Sequence, residues 1–195
     1  VFVDFLSSAE DPNLKFQFAN LLKFVRLVAF FITLLLPGLY VAITNFHQEI
    51  IPTELLFAIV ASRESVPFPI IVEILAMEIS FELIREASLR VPSPIGTTIG
   101  IIGALILGQA AVEASIVSPI LIIIIAITGI TSFAIPDFYL SFHLRIARFL
   151  YIIAAFFGGF LGIGIVLFGH LVLLCSLKSF GVSYLAPYVP STSKN

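Results

Sequence analysis

Residues 67–94 read PFPIIVEILAMEISFELIREASLRVPSP, one helix's worth of chain between a Pro-Phe-Pro and a Pro-Ser-Pro. Proline lacks an N–H and restricts the residue before it, so each Pro-x-Pro reads as a helix boundary. At 100° per residue, Glu78, Glu82, Arg85 and Glu86 fall on one stripe, and Glu73 stands alone among Ile, Leu, Met and Phe on the far side. Apolar runs long enough to span a bilayer lie on both flanks. A charged helix in such surroundings needs water, a partner or a pore.

The rest of the composition sharpens that question. Of 195 residues, 59% are hydrophobic and only 11% charged, with a mean hydropathy of +1.14. Soluble domains carry about 25% charged residues, so the class is all-α, a polytopic helical membrane protein. Four to five spanning helices are expected, with short interfacial or re-entrant helices between them and lipid as the surrounding partner. A net charge of -2 without a basic cluster argues against nucleic acid. The single Cys175 excludes an internal disulfide and a cysteine metal cluster, and reads as a buried structural thiol. The opening VFVDFLSSAED has neither the basic start nor the cleavage pattern of a signal peptide. Residues 27–175 read as the membrane domain and 176–195 as a tail.

Taken in order, Lys15, Lys23 and Arg26 precede the first apolar run and place that end on the cytoplasmic side. Leu27–Thr44 is the first span, with Pro37-Gly38 expected to kink it. Between Asn45 and Ser65, Pro52 suits the first turn of a short interfacial or re-entrant helix that Glu54 complements. After the charged helix, Ser93 and Pro94 open a segment with small residues at Gly96, Gly100, Ala104 and Gly108, a spacing that lets membrane helices approach closely. Val117–Ile135 is a further span. Asp137 caps a short helix bearing His143, Arg145 and Arg148, and glycine-rich Phe149–Cys175 is the last span. With four spans the basic residues divide evenly between the two sides. A crossing 67–94 helix improves the positive-inside balance, but carries Glu73, Glu78 and Glu82 through the bilayer at about 2.5–3.5 kcal/mol or more per uncompensated charge.

Several motifs now stand together: PTELL (52–56), RESVPFP (63–69), RVPSPIG (90–96), GQAAVEA (108–114) and SFGVSYLAP (179–187). They resemble the A subunit of bacterial spore germinant receptors, the GerA-type spore germination family, and the resemblance runs from near FLSSAED to the tail. It implies a multi-pass protein of the spore inner membrane that acts with a transporter-like B subunit and a lipoprotein C subunit. It also implies assembly as a homo-oligomer, a pentamer, into an ion channel opened when the B subunit holds a nutrient. The same resemblance implies that residues 1–26 are the end of a mostly missing N-terminal cytoplasmic domain and its linker.

Within that expectation the 93–114 helix is the candidate pore wall. Thr98, Ile102, Ile106, Gln109 and Glu113 recur at steps of three or four residues along one stripe. A hydrophobic constriction flanked by polar side chains can gate, and an acidic ring favours cations. The plainer reading lets Gln109 and Glu113 hydrogen-bond neighbouring helices. For the 67–94 helix the functional reading is a charged lining or collar formed by Glu73, Glu78, Glu82 and Arg85. The plainer one makes Glu82–Arg85 and Glu86–Arg90 ordinary helix pairs on a solvated face.

His47 with Glu49 is too sparse for a metal site, and His143 and His170 read as packed side chains. No phosphate loop and no nucleophile–base set is legible, so neither a cofactor nor an enzymatic activity is expected. A secondary transporter using an intramembrane carboxylate such as Glu73, or a non-conducting scaffold, remain the alternatives to a channel.

Overall fold

The computed structural model describes residues 16–91, 93–179 and 182–183. The expectations for residues 1–15, for most of the tail, for the Ser93 cap and for the side chains of Thr98 and Ile102 fall outside the described residues. The architecture is helical: α1 (Phe16–Phe46), a 3-10 turn (Gln48–Ile50), α2 (Thr53–Arg63), α3 (Ile70–Arg90), α4 (Ser93–Glu113), α5 (Pro119–Phe133) and α6 (Phe138–Ser176). A two-residue antiparallel ladder, Lys178–Ser179 with Val182–Ser183, follows.

The punctuation does much of this work. Pro69 sits at the N-cap of α3, and Pro52 occupies the same place before α2. Ser118 caps α5, its hydroxyl accepting from the Leu121 N–H, with Pro119 at the first helical position where no N–H is needed. Asp137 caps α6 through a 2.6 Å bond from the Leu140 N–H.

Two boundaries differ from those expected. Helix α1 begins at Phe16 and runs through Pro37, so Lys23 and Arg26 lie within it and position 26–27 falls inside a helix. The separate short helix and last span after Asp137 are one helical run, α6, with a reversal inside it. Gly159 has φ 55° and ψ −136°, a conformation open to glycine because it has no Cβ. Beyond it the chain doubles back. A Cβ on Gly162 would strike the Ala154 carbonyl, and the His143 and His170 rings lie 5.5 Å apart. In an unbroken helix residues eight apart are about 12 Å apart along the axis.

Paired contacts fix the helix directions. Gly38 approaches the Tyr151 carbonyl while Phe46 and His47 meet Gly159, so α1 runs parallel to the first limb of α6 (138–158). Glu73, Phe81 and Arg85 of α3 meet Ser118, Gly129 and Ser132 in turn, so α3 and α5 are parallel. Ile84 packs on Gly103 and Ser88 on Gly100, which makes α4 antiparallel to α3. Leu34, Val41, Ile74, Leu121, Ile152 and Ala155 form the centre of the core.

Polarity is inverted relative to a soluble domain. Glu73 and Glu78 are 1% exposed and Arg148 3%, whereas Phe157 is 77%, Leu161 71% and Phe168 70% exposed. Apolar outside and ionisable inside is the arrangement hydrocarbon selects. Among the described residues, two helices are long and apolar enough to cross a membrane, Gln17–Phe46 and Phe138–Ser176, fewer than the four to five expected. The reasons are physical. Helix α3 carries too many charges, and α5 has 15 residues.

Candidate functional site

Glu73, Glu78 and Glu82 of α3 turn into the bundle, and each is met by an arginine from another helix. Glu73, in the first turn, receives Arg63 from the end of α2 at 2.9 Å. Its other oxygen accepts the Ser118 N–H at 3.1 Å, at the N-terminal end of α5, where the helix dipole favours negative charge. Glu78 pairs with Arg148 of α6 at 2.6 Å, with both side chains almost fully enclosed. One turn on, Glu82 pairs with Arg145, whose Nε also donates to the Ser141 carbonyl.

Arg85 makes a different kind of contact. It donates to the Ser132 hydroxyl at 2.6 Å and the Gly129 carbonyl at 3.3 Å, and its guanidinium lies 4.2 Å from the Phe133 ring centroid. The C-terminal end of α5 and a ring face thus stand where a carboxylate would be expected. Glu82 and Arg85 are therefore not the local pair that their spacing suggested. Glu86 and Arg90 are such a pair, exposed and 2.7 Å apart. Several polar atoms in the buried row keep unused hydrogen-bonding capacity: Glu78 Oε1, Glu82 Oε2, Arg85 Nε, Arg148 Nε and, one turn further along α6, Tyr151 Oη.

Helix α4 presents the opposite character. A Cβ on Gly96 would strike the Ser88 carbonyl, and one on Gly100 or Gly103 would lie 3.5 Å from Ser88 or 3.4 Å from Ile84, so this edge packs on α3. Gly108 faces Ile122 of α5, and Ala104 is half-buried. On the outward side Ile106 is 58% exposed, with Gln109 and Glu113 also exposed. The structure thus gathers Glu73, Glu78, Glu82 and Arg85 inside the chain and leaves Ile106, Gln109 and Glu113 facing out of it.

What the sequence did not reveal were the partners: Arg63, Arg145, Arg148, Ser118 and Ser132. A usable signal was present, since acids inside an apolar bundle require counter-charges and Arg145 and Arg148 sit one helical step apart in an apolar run. Elsewhere, an open cleft of about 710 Å³ lies between the end of α1 and α2, lined by Thr44, Gln48, Phe57, Arg63 and neighbours. The His170 ring meets His143 edge-on and lies tilted 6.2 Å from Tyr151, and His47 packs on Phe160. No group of three or more metal-ligating side chains occurs among the described residues.

Comparison with known proteins bears on the whole chain. Residues 1–195 match the family described as Bacillus/Clostridium GerA spore germination protein. The chain is 48% identical to spore germination protein KA of Bacillus subtilis (strain 168) over 194 residues, covering 100% of the chain and 36% of that protein. It is 45% identical to the uncharacterized membrane protein YfkQ of the same organism, covering 97% of the chain and 37% of that protein. Identity to spore germination protein GerLA of Bacillus cereus is 42%, across 100% of the chain and 40% of that protein. The chain thus spans well under half the length of these relatives. No solved structure matches it.

Proposed function

The chain belongs to the GerA spore germination protein family, and on that premise we propose that it is the membrane part of a nutrient germinant receptor subunit. In this reading it sits in the inner membrane of the spore, residues 27–175 forming the membrane domain. Copies assemble around an axis, as a pentamer, into a gated ion channel that works with a transporter-like B subunit and a lipoprotein C subunit. Helices α1, α3, α4, α5 and both limbs of α6 cross, which extends the expected four to five spans to six limbs. The 21 residues of α3 reach about 31 Å at 1.5 Å per residue, enough for a hydrocarbon core.

The observation that supports a channel is the contrast just described. The interior charges are matched within one chain, while α4 turns an isoleucine between small and polar residues outward. Placed around an axis, Ile106 rings close an apolar neck, because hydrating a narrow hydrophobic passage is unfavourable, and Glu113 supplies an acidic vestibule. Such a neck holds ions back at rest, and a small displacement of α4 wets it.

The test is ion flux through the full-length protein with its partner subunits in vesicles, with germination of spores carrying the same variants. Ile106→Asn should conduct without nutrient, and Glu113→Gln should lower cation selectivity while staying closed at rest. Normal dormancy and parental flux in Ile106→Asn would remove Ile106 from the gate. A coupled transporter is the second reading, favoured by the unused oxygen of buried Glu78. Saturable exchange in place of downhill flux would select it.

A further inference from the structure

Three acids of α3 are matched to three arginines, and a fourth arginine is left over. Glu73, Glu78 and Glu82 take Arg63, Arg148 and Arg145. Arg85 meets the Ser132 hydroxyl, the Gly129 carbonyl and the Phe81 and Phe133 rings, and no carboxylate among the described residues. The row therefore carries one positive charge in excess, on a residue only 8% exposed. The C-terminal end of α5 offsets about half an elementary charge. Nη2 makes both hydrogen bonds, and the enclosed Nε has no partner among the described residues. Neighbouring acids are committed elsewhere. Asp137, in the turn after α5, holds the N-cap of α6, and Glu86 is tied to Arg90. An enclosed guanidinium with this balance calls for an anion.

We propose that Arg85 anchors a binding site for the phosphodiester headgroup of an anionic phospholipid, taken from the leaflet at this end of the bundle. The proposal rests on the membrane reading above. Depth supports it, because Arg85 lies against the last turn of α5 and five residues from the end of α3. That is about 7.5 Å along the axis, within reach of a headgroup for a long basic side chain whose stem lies along hydrocarbon. The surroundings support it too. Phe133 lies over one face of the guanidinium and is 69% exposed, and Phe138, Tyr139 and Phe142 follow it, exposed, at the start of α6. Aromatic side chains of this kind gather at the headgroup level of a bilayer. In the crossing topology the same end carries Lys23, Arg90 and Lys178, which draw anionic lipid in preference to neutral lipid.

A phosphate oxygen accepting from Nη1 makes a charge-assisted hydrogen bond and cancels the excess charge. The Nη2 bonds to α5 and the ring face of Phe133 stay as they are. Because Arg85 joins α3 to the end of α5, an occupied site braces those two helices, and membrane composition becomes an input to their stability. Free phosphate offers the same oxygens but lacks the acyl chains that would lie on the exposed rings. The lipid is therefore the occupant.

The test follows the unfolding temperature of the full-length protein in detergent with added phosphatidylglycerol, phosphatidylcholine or inorganic phosphate, and counts retained lipid by native mass spectrometry. Phosphatidylglycerol should raise the unfolding temperature of the parent clearly above the value in phosphatidylcholine and remain bound to it. Arg85→Gln should lose that increment and hold the lipid about tenfold more weakly, the loss of one hydrogen bond to a charged group. Arg85→Lys should keep much of it, since an ammonium still attracts phosphate as a point charge. Arg90→Gln, which removes an exposed cation at the same end, should respond as the parent does. An Arg85 that only braces the fold would instead lower the Arg85→Gln value equally in every lipid, and that result would overturn the proposal. Equal effects of the two phospholipids on the parent would overturn it even if Arg85→Gln failed to accumulate. Inorganic phosphate matching phosphatidylglycerol would overturn the lipid as the source. A carboxylate from a second copy would show as oligomer yield that falls in Arg85→Gln without any lipid dependence, which also overturns it. Failure of the membrane reading shows separately, as a parent protein that alkaline carbonate strips from membranes.

Discussion

Helices α3 and α4 are neighbours of equal length, 21 residues each, and they solve opposite problems. Helix α3 is loaded with charge and turns it inward, where arginines from α2 and α6 meet it. Helix α4 is nearly neutral and turns Ile106, Gln109 and Glu113 outward, exposed among the described residues. One surface is complete within a single chain and the other is not. What hydrocarbon would penalise most is paired inside the chain, and what is cheap to expose is left at its surface.

The comparison breaks most severely at Arg148. Arg148→Met leaves the Glu78 carboxylate enclosed without a counter-charge, a change worth about 3–5 kcal/mol. Folded protein should be nearly absent from membranes, and Glu78→Gln added to it should restore much of the loss. Abundance of the single variant equal to the parent would mean that the α3 row is not self-contained. The next largest effect is expected at Gly159. Valine there meets both a positive φ and a Cβ about 3.0 Å from His47. Strain of this kind costs about 1–3 kcal/mol, to be read as a lower unfolding temperature in detergent.

Two further changes should scarcely touch stability, and so sharpen the contrast. Glu86→Gln removes an exposed i,i+4 pair worth about 0.3–0.5 kcal/mol. Its unfolding curve should nearly overlay that of the parent. Smallest of all is the effect of Ile106→Asn on the isolated chain, within about 0.5 kcal/mol because the side chain is already exposed. Crosslinked oligomer yield and resting leak are where it should show. A large loss of monomer stability would place Ile106 in a core the single chain already closes.

Much of the fold was legible because it is written in local signals. Ser118-Pro119, Asp137 and the Pro-x-Pro borders of α3 mark helix ends through capping and missing N–H groups, and these act within a few residues. The buried charges were legible as a demand, and their satisfaction was not. Pairing Glu78 with Arg148 depends on where α3 and α6 lie in space, which no periodicity within either helix encodes. Arg85 was misread for the same reason, because its partners are a carbonyl, a hydroxyl and a ring on α5. The reversal at Gly159 escaped because a glycine-rich apolar run looks the same whether it continues or turns.

That reversal also settles a matter of parity. Counted as two limbs, α6 makes the number of proposed traverses even, so the described chain enters and leaves on one face. Lys23 and Arg26 near the start of α1, Arg90 at the end of α3 and Lys178 just past α6 then share that face. The opposite face collects Glu49, Glu54, Glu64 and Glu113, its Arg63 already committed to Glu73. Loop charge divided this way has one orientation in a bacterial membrane, basic face to the cytoplasm. In the proposed topology, the single unconventional torsion at Gly159 is what returns Lys178 to the face from which α1 starts.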